Sequence, residues 1–438
     1  MQENLNKYPL LEYCWKHRLL GMELKSVNGS VVEVIDQGLY NRNDCPTFFN
    51  AKLKINGTLW IGNVVCLDSS DEWFERCWNI DDRYDNVILV VCEKAAAIPV
   101  TSKHDGVMMV EVGVPDYVQK NYDVLMSDKG AVHCNGRIKD YSVLLHHAWL
   151  AALQTEYVEQ ESNNVIGSYR FYNDWQSAYE DQLFAAFGFG VNEVIMKNVC
   201  RSIPKSFLWS DHVDDPFQLE AVFFGQAGLL DLNNSVQRLY QKTTLNEGYF
   251  TRLRNEWMYL SKKYSMPEPV SDGWKPLGRG QHIRPHVLLS ALANLFYARK
   301  TDVGHVLGAE SIGDLYSLIS THPTPYWETH SHFGCLTRKS EKRLTRNRAV
   351  RIIMACHIPF LFAYGRDTGM EKYCDLAFDL MEQMKGFRSA ETAWFERFGV
   401  KAETAGDSMA LCQLRNSYCG KHDCLRCRFG YEFIKNNK

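Results

Sequence analysis

The run Phe48-Phe49-Asn50-Ala51-Lys52-Leu53-Lys54-Ile55-Asn56-Gly57-Thr58-Leu59-Trp60-Ile61-Gly62-Asn63-Val64-Val65-Cys66-Leu67 decides the fold class of this chain. Residues 48–55 alternate. Phe49, Ala51, Leu53 and Ile55 fall on one face and Asn50, Lys52 and Lys54 on the other, the period of two expected of a half-buried strand. Asn56-Gly57 then stands between two strand-like runs. Both residues tolerate the positive φ that a two-residue hairpin turn demands, so the chain reverses there. Residues 58–67 alternate again as the returning strand.

Working outward, residues 31–35 are β-branched and strand-like, and Leu11, Cys14, Trp15 and Leu19 lie at helical spacing in 8–19. Residues 86–92 form a valine-rich apolar run, as in a strand buried on both faces. Residues 107–114 are a further strand, closed by Pro115. The spacing therefore predicts a mixed-sheet α/β domain over residues 1–135. From about residue 141 the period becomes helical. Helices are expected over 141–158, 175–187, 194–200, 217–230, 245–264, 286–298 and 311–320. A stripe of Tyr373, Leu376, Ala377, Leu380, Met381 and Met384 adds another, and the apolar run 352–364 reads as a buried helix despite His357 and Pro359. Residues 321–337, with Pro323 and Pro325, read as a loop. The expected class is α+β: the sheet domain, then an α-helical domain over 136–438, divided near 265–285 and ending in a cysteine-rich tail.

Composition sets the outer bounds. The chain has 438 residues, 45% hydrophobic and 23% charged, which excludes long disorder, collagen, coiled coil and a disulfide mini-scaffold. A net charge of −3 means that any nucleic-acid binding needs a local basic patch. Fourteen scattered cysteines in a chain of this size point to reduced thiols and a cytoplasmic location. The N-terminal apolar stretch is broken by Glu12, Lys16, His17 and Arg18, so no signal-peptide core is expected, and no uncharged apolar run of about 18 residues is present to span a membrane. P-loop, dinucleotide and nucleophile-elbow patterns are absent.

Four features can carry chemistry. Nucleases of the restriction-endonuclease fold place an Asp on one strand and Glu-x-Lys on the next, holding a divalent ion where the strands meet. The corresponding positions here are Thr47, Val65 and Leu67, expected on the face of Phe49, Ala51 and Leu53, and none of them ligates Mg²⁺ well. Asp44, Asp68 and Glu72 are the nearby carboxylates that could substitute. Second, Cys419-x4-Cys424-x2-Cys427 has the spacing of a thiolate metal site for zinc or part of an iron–sulfur cluster. His422 or a distant cysteine would have to complete it. Third, Arg338, Lys339, Lys342, Arg343, Arg346, Arg348 and Arg351 form a basic run. If it were helical, Lys339, Arg343 and Arg346 would share a face and meet phosphates. Fourth, Tyr326-Trp327-Glu328-Thr329-His330-Ser331-His332 sets aromatics beside histidines; partly buried loop anchors are the simpler reading, base stacking or metal binding the sharper one.

Several strings, in order along the chain, resemble a bacterial family described as domain of unknown function 2851. They include Trp15-Lys16-His17-Arg18-Leu19, Gly38-Leu39-Tyr40-Asn41, Leu59-Trp60-x-Gly62-Asn63-Val64, Asn173-Asp174-Trp175, Phe217-Gln218-Leu219-Glu220-Ala221, Tyr326-Trp327-x-Thr329-His330 and Cys424-Leu425-x-Cys427. The resemblance implies a restriction-endonuclease-like hairpin, typically Gly-Pro-Asp-Phe-Phe followed by Gly-Asn-Val-Glu-Ile-His. This chain instead has Cys45-Pro46-Thr47 and Val64-Val65-Cys66-Leu67, so all three acidic or basic positions are lost together while Asn50, Trp60 and Asn63 stay. The resemblance supplies no established activity. The leading expectation is a catalytically degenerate nuclease-like protein that binds nucleic acid through Arg338, Lys339, Lys342, Arg343 and Arg346. The alternatives are a protein-interaction scaffold with a zinc-stapled C-terminus, and a metal-dependent hydrolase with displaced carboxylates.

Overall fold

The Asn56-Gly57 turn forms as expected, with φ of 47° and 88°, and joins the strands Phe48–Ile55 and Thr58–Ser69 of a single sheet. The computed structural model describes residues 10–41, 46–96, 100, 106–127, 134–209, 215–233, 244, 247–270, 273–275 and 285–436. By contacts the chain falls into two units, Met1–Tyr141 with Asn416–Lys438, and Ser142–Arg415. The C-terminal tail, expected with the helices, thus groups with the sheet. Residues 276–284, where a further division of the helical part was expected, lie outside the described residues.

In the first unit, β1 (Glu23–Lys25), β2 (Val31–Asp36), β3 (Leu39–Tyr40), β4 (Phe48–Ile55), β5 (Thr58–Ser69), β6 (Val87–Lys94) and β7 (Met108–Glu111) make one mixed sheet. The order is β1-β2-β4-β5-β6-β7, with β3 beside β4. The β1/β2, β2/β4 and β4/β5 pairs are antiparallel; β5/β6 and β6/β7 are parallel. β6 lies inside the sheet and its valines are buried on both sides, as its unbroken apolar run implied. Leu89 and Val91 face a cluster with Leu11 and Trp15 of the helix Leu10–Lys16. Val90 and Cys92 face Trp73, Trp78 and Tyr84 on the other side.

The alternation read over β4 fails at one point. Phe48 pairs with Val64 and Ala51 with Gly62, so Phe49 and Asn50 together oppose Asn63 alone. This is a β-bulge, and the extra residue resets which side chains face inward. Phe48, not Phe49, joins Ala51, Leu53 and Ile55 in the core, and Phe49 is exposed. Thr47 consequently lies on the sheet face opposite Ala51 and Leu53, and Val65 and Leu67 lie there because the hairpin register sets even residues of β5 beside odd residues of β4, contrary to expectation. Asn50 adopts a positive φ of 55°, and its N–H donates to Asn63 Oδ1 at 3.3 Å. Gly38, with φ of 87°, is required beside the bulge. A Cβ there would meet Phe49 O at 2.5 Å and Ala51 N at 2.9 Å.

The second unit is helical. The helix Val143–Tyr172 starts where Ser142 Oγ accepts the Leu145 N–H, and runs 30 residues, well past the expected end at 158. It stops at Asn173 in the left-handed conformation, and Asp174 then caps Trp175–Phe187 by accepting the Ser177 N–H at 2.8 Å. Asn173-Asp174 is therefore a stop-and-restart signal. Pro216–Gln226 ends before Gly228, whose φ is 69°. The run 352–364 is helical, but Ile353–His357 widens to a π-turn before Ile358–Thr368. The wider turn precedes Pro359, which has no N–H to give to a regular ladder. Residues 321–337 are not wholly a loop; they hold the short helix Pro325–Thr329 and the two-stranded pair His330–His332 with Cys335–Leu336. One apolar core, including Phe184, Phe223, Phe224, Leu292 and Trp327, runs through the unit. No described helix is long and apolar enough to cross a membrane.

Candidate functional site

The strand ends that would hold a metal in a nuclease are apolar here. Val65 is wholly buried, and Leu67 nearly so, in the cluster of Trp73, Trp78 and Tyr84. Thr47 is buried too, and its Oγ1 accepts the Cys66 N–H at 3.2 Å. The hydroxyl satisfies backbone rather than facing a ligand. The substitute carboxylates do not gather either. Asp68 is exposed and near enough to Glu12 to help hold the Glu12 carboxyl above its usual range, behind burial as the main cause. Glu72 pairs with Arg76 at 2.6 Å and accepts the Ser69 N–H at 3.4 Å. Asp44, with Cys45, lies outside the described residues. Among the described residues no three His, Cys, Asp or Glu side chains could, as placed, hold a single metal ion.

The basic run is not one helix. Residues 337–345 have no regular secondary structure, and the helix Arg346–Ile352 begins only after Thr345. Lys339, Arg343 and Arg346 therefore do not form the helical face expected of them. Lys342, with φ of 46°, turns inward and donates from Nζ to the His330 carbonyl and to Thr337 Oγ1. Burial lowers its pKa. Arg338, Lys339, Arg343 and Arg346 stay exposed. Lys339 reaches Glu328 at 3.7 Å and Arg343 reaches Glu341 at 2.7 Å, both in the open. Arg343 and Arg346 also line a cavity of about 450 Å³ with Tyr316, Ser320 and Thr321, and the Arg346 guanidinium lies 5.8 Å from the Tyr316 ring centre.

The aromatic loop proves to be an anchor. Trp327 is fully buried, and its indole N–H donates to Glu220. Glu220 also accepts from Tyr249 at 2.8 Å and Thr324 at 2.9 Å. Burial pushes the Glu220 carboxyl up, while these donors pull it back. Tyr326 stacks between Tyr249 and His330, with ring centres 4.0 Å away on each side. No base can enter that stack without dismantling it.

A second buried acidic pair carried no expectation. Glu180 and Asp181 are wholly enclosed on the helix Trp175–Phe187. Glu180 meets Lys205, Trp209 and Gln176; Asp181 meets Arg201, Tyr172 and Ser168. Adjacent acids inside an apolar helix are the signal that could have marked them, because such charges persist only when paired.

At the C-terminus, Cys419, Cys424 and Cys427 sit in successive turns before the helix Arg428–Lys435. Cys427 is buried, while His422 is exposed in a left-handed turn. Cys412 belongs to the other unit, where its thiol meets Ser389 Oγ at 3.5 Å. No disulfide joins the described cysteines.

These observations define an α+β protein with an N-terminal mixed sheet and a helical second unit. The model of the protein family of unknown function DUF2851 matches residues 9–388, and the chain belongs to that family. No curated protein and no solved structure matches it.

Proposed function

We propose that the chain is a catalytically degenerate, nuclease-like protein whose helical unit holds nucleic acid through the basic segment 338–351. The observation that carries the first half is the sheet. β2, β3, β5, β6 and β7 run one way and β1 and β4 run against them, an arrangement that supports the restriction-endonuclease likeness. At its catalytic positions stand Thr47, Val65 and Leu67, all turned into packing. A likeness of fold does not fix a function, so the second half rests on the surface.

Support for that half comes from Arg338, Lys339, Arg343 and Arg346, four exposed cations within nine residues of chain. Their partners Glu328 and Glu341 form ion pairs open to solvent, each worth roughly 0–1 kcal/mol, which phosphates can displace. Arg346 beside Tyr316 adds a guanidinium and an aromatic ring on the rim of one cavity, a pairing suited to backbone phosphate and a stacked base.

The test is incubation of the full chain with labelled single-stranded and duplex oligonucleotides, with Mg²⁺ or Mn²⁺. Retained binding without cleavage is expected. Metal-dependent cleavage that stops on Asp68→Asn or Glu72→Gln would replace this reading with that of an active hydrolase. An absence of binding would favour the scaffold.

A further inference from the structure

The tail's three cysteines need a fourth donor, and the fold brings one from far away in sequence. Cys134 immediately precedes the short helix Asn135–Ile138. That segment is tied to the tail helix at several points. Tyr141 stacks on Phe429 with ring centres 5.9 Å apart, and its hydroxyl donates to the Phe429 carbonyl at 3.4 Å. The Arg137 guanidinium lies 5.1 Å from the Phe433 ring centre. Asn121 Nδ2 donates to the carbonyls of Phe433, Ile434 and Asn436. So held, the buried Cys134 thiol lies within electrostatic reach of Cys427, Cys419 and Cys424.

Two local features suit the tail to binding. Cys424 and Cys427 flank a tight turn in which the Cys427 N–H donates to the Cys424 carbonyl at 3.2 Å. Gly430 permits it: a Cβ there would lie 2.0 Å from Cys424 O. The Cys427 sulfur also receives the backbone N–H groups of Phe429 and Gly430, which favour its thiolate. The four thiols converge beside the tail helix. A thiophilic cation held by all four would take their charge, each thiol releasing its proton to solvent on ligation.

We propose that Cys134, Cys419, Cys424 and Cys427 form a four-thiolate site for a thiophilic metal centre, with Cys134 and not His422 as the fourth ligand. An all-sulfur donor set narrows the centre to zinc or an iron–sulfur cluster. Tetrahedral zinc, with Zn–S near 2.3 Å, would draw the sulfurs to about 3.8 Å from one another. No described group is that closely gathered, and a cluster, which spans its ligands more widely, needs less movement. The centre would staple the two ends of the first unit's chain. The site is independent of the nucleic-acid reading.

The test is metal and acid-labile sulfide analysis, with visible spectra, on anaerobically purified full-length protein and its Cys134→Ser, His422→Ala and Cys412→Ser variants. Stoichiometric zinc, or iron with sulfide and brown absorbance, supports the site when it is lost in Cys134→Ser and kept in the other two. The spectrum separates the two centres. On the wild-type protein, alkylation before and after chelation gives a readout that no variant's misfolding can blur: all four cysteines should be shielded until the metal is removed. No metal after reconstitution, metal retained in Cys134→Ser, or a Cys134 alkylated in the loaded protein would each overturn the proposal.

Discussion

Thr47 Oγ1 accepts the backbone N–H of Cys66 at 3.2 Å, across the junction where a nuclease of this sheet type would hold its metal. The hydroxyl thus closes the strand pairing, and its neighbours Val65 and Leu67 close the apolar layer beneath.

The closed layer makes reversion costly. Val65→Glu would bury a carboxylate among Trp73, Trp78 and Val90, at an expected cost of about 3 kcal/mol or more. Denaturant unfolding monitored by tryptophan fluorescence measures it. A neutral effect, together with a gain of Mg²⁺ binding, would mean that the site is latent rather than filled.

Gly38→Ala tests the bulge. The added methyl would strike Phe49 O and Ala51 N, and the residue would hold a positive φ, so a loss of about 2 kcal/mol or more is expected. A substitution at Gly29, which also has a positive φ of 85° but open space around it, should cost less. Equal losses would remove the steric argument and leave only the dihedral one.

His357 gives the helical unit an acid limit. Its Nε2 lies 3.2 Å from the Tyr179 hydroxyl, its Nδ1 has no partner among the described residues, and burial holds the imidazole down at about 3. The unfolded chain takes up a proton below about 6.5, and the folded chain does not until about 3. Stability is therefore complete above 6.5 and lost as pH falls toward 3, at about 1.4 kcal/mol per pH unit in the steep part. His17, lowered to about 4 by burial, then Lys16 and Arg428, adds in the same direction. His357→Gln should flatten the acid side of a Tm-against-pH curve; an unchanged slope would contradict the assignment.

What the sequence made legible follows from the range of the interactions involved. The hairpin at Asn56-Gly57, the strands around it and the helix Trp175–Phe187 are local, set by turn chemistry and periodicity over a few residues. The face of Val65 was misread because the two-residue turn sets odd residues of β5 beside even residues of β4, and that of Thr47 because a bulge adds one residue without changing the composition on either side. Its signals, Gly38 and Asn63, lie 11 and 14 residues from Phe49 and Phe49's face depends on both. The basic run would have shared a face only as a helix, but 337–345 is irregular, with Lys342 turned in to two acceptors. The fourth cysteine was out of reach altogether. Cys134 meets the tail only through the packing of Tyr141, Arg137 and Asn121, and no sequence spacing encodes that.

The central claim, a filled nuclease-like site with nucleic-acid binding kept on the basic segment, is tested most directly by the salt dependence of oligonucleotide affinity. For a single strand, log Kobs against log salt concentration should fall with a slope of about −0.7 for each phosphate neutralised. The Arg343→Glu, Arg346→Glu double variant should lose about tenfold in affinity or more at low salt and show a shallower slope. Affinity and slope unchanged by the two substitutions would contradict the account.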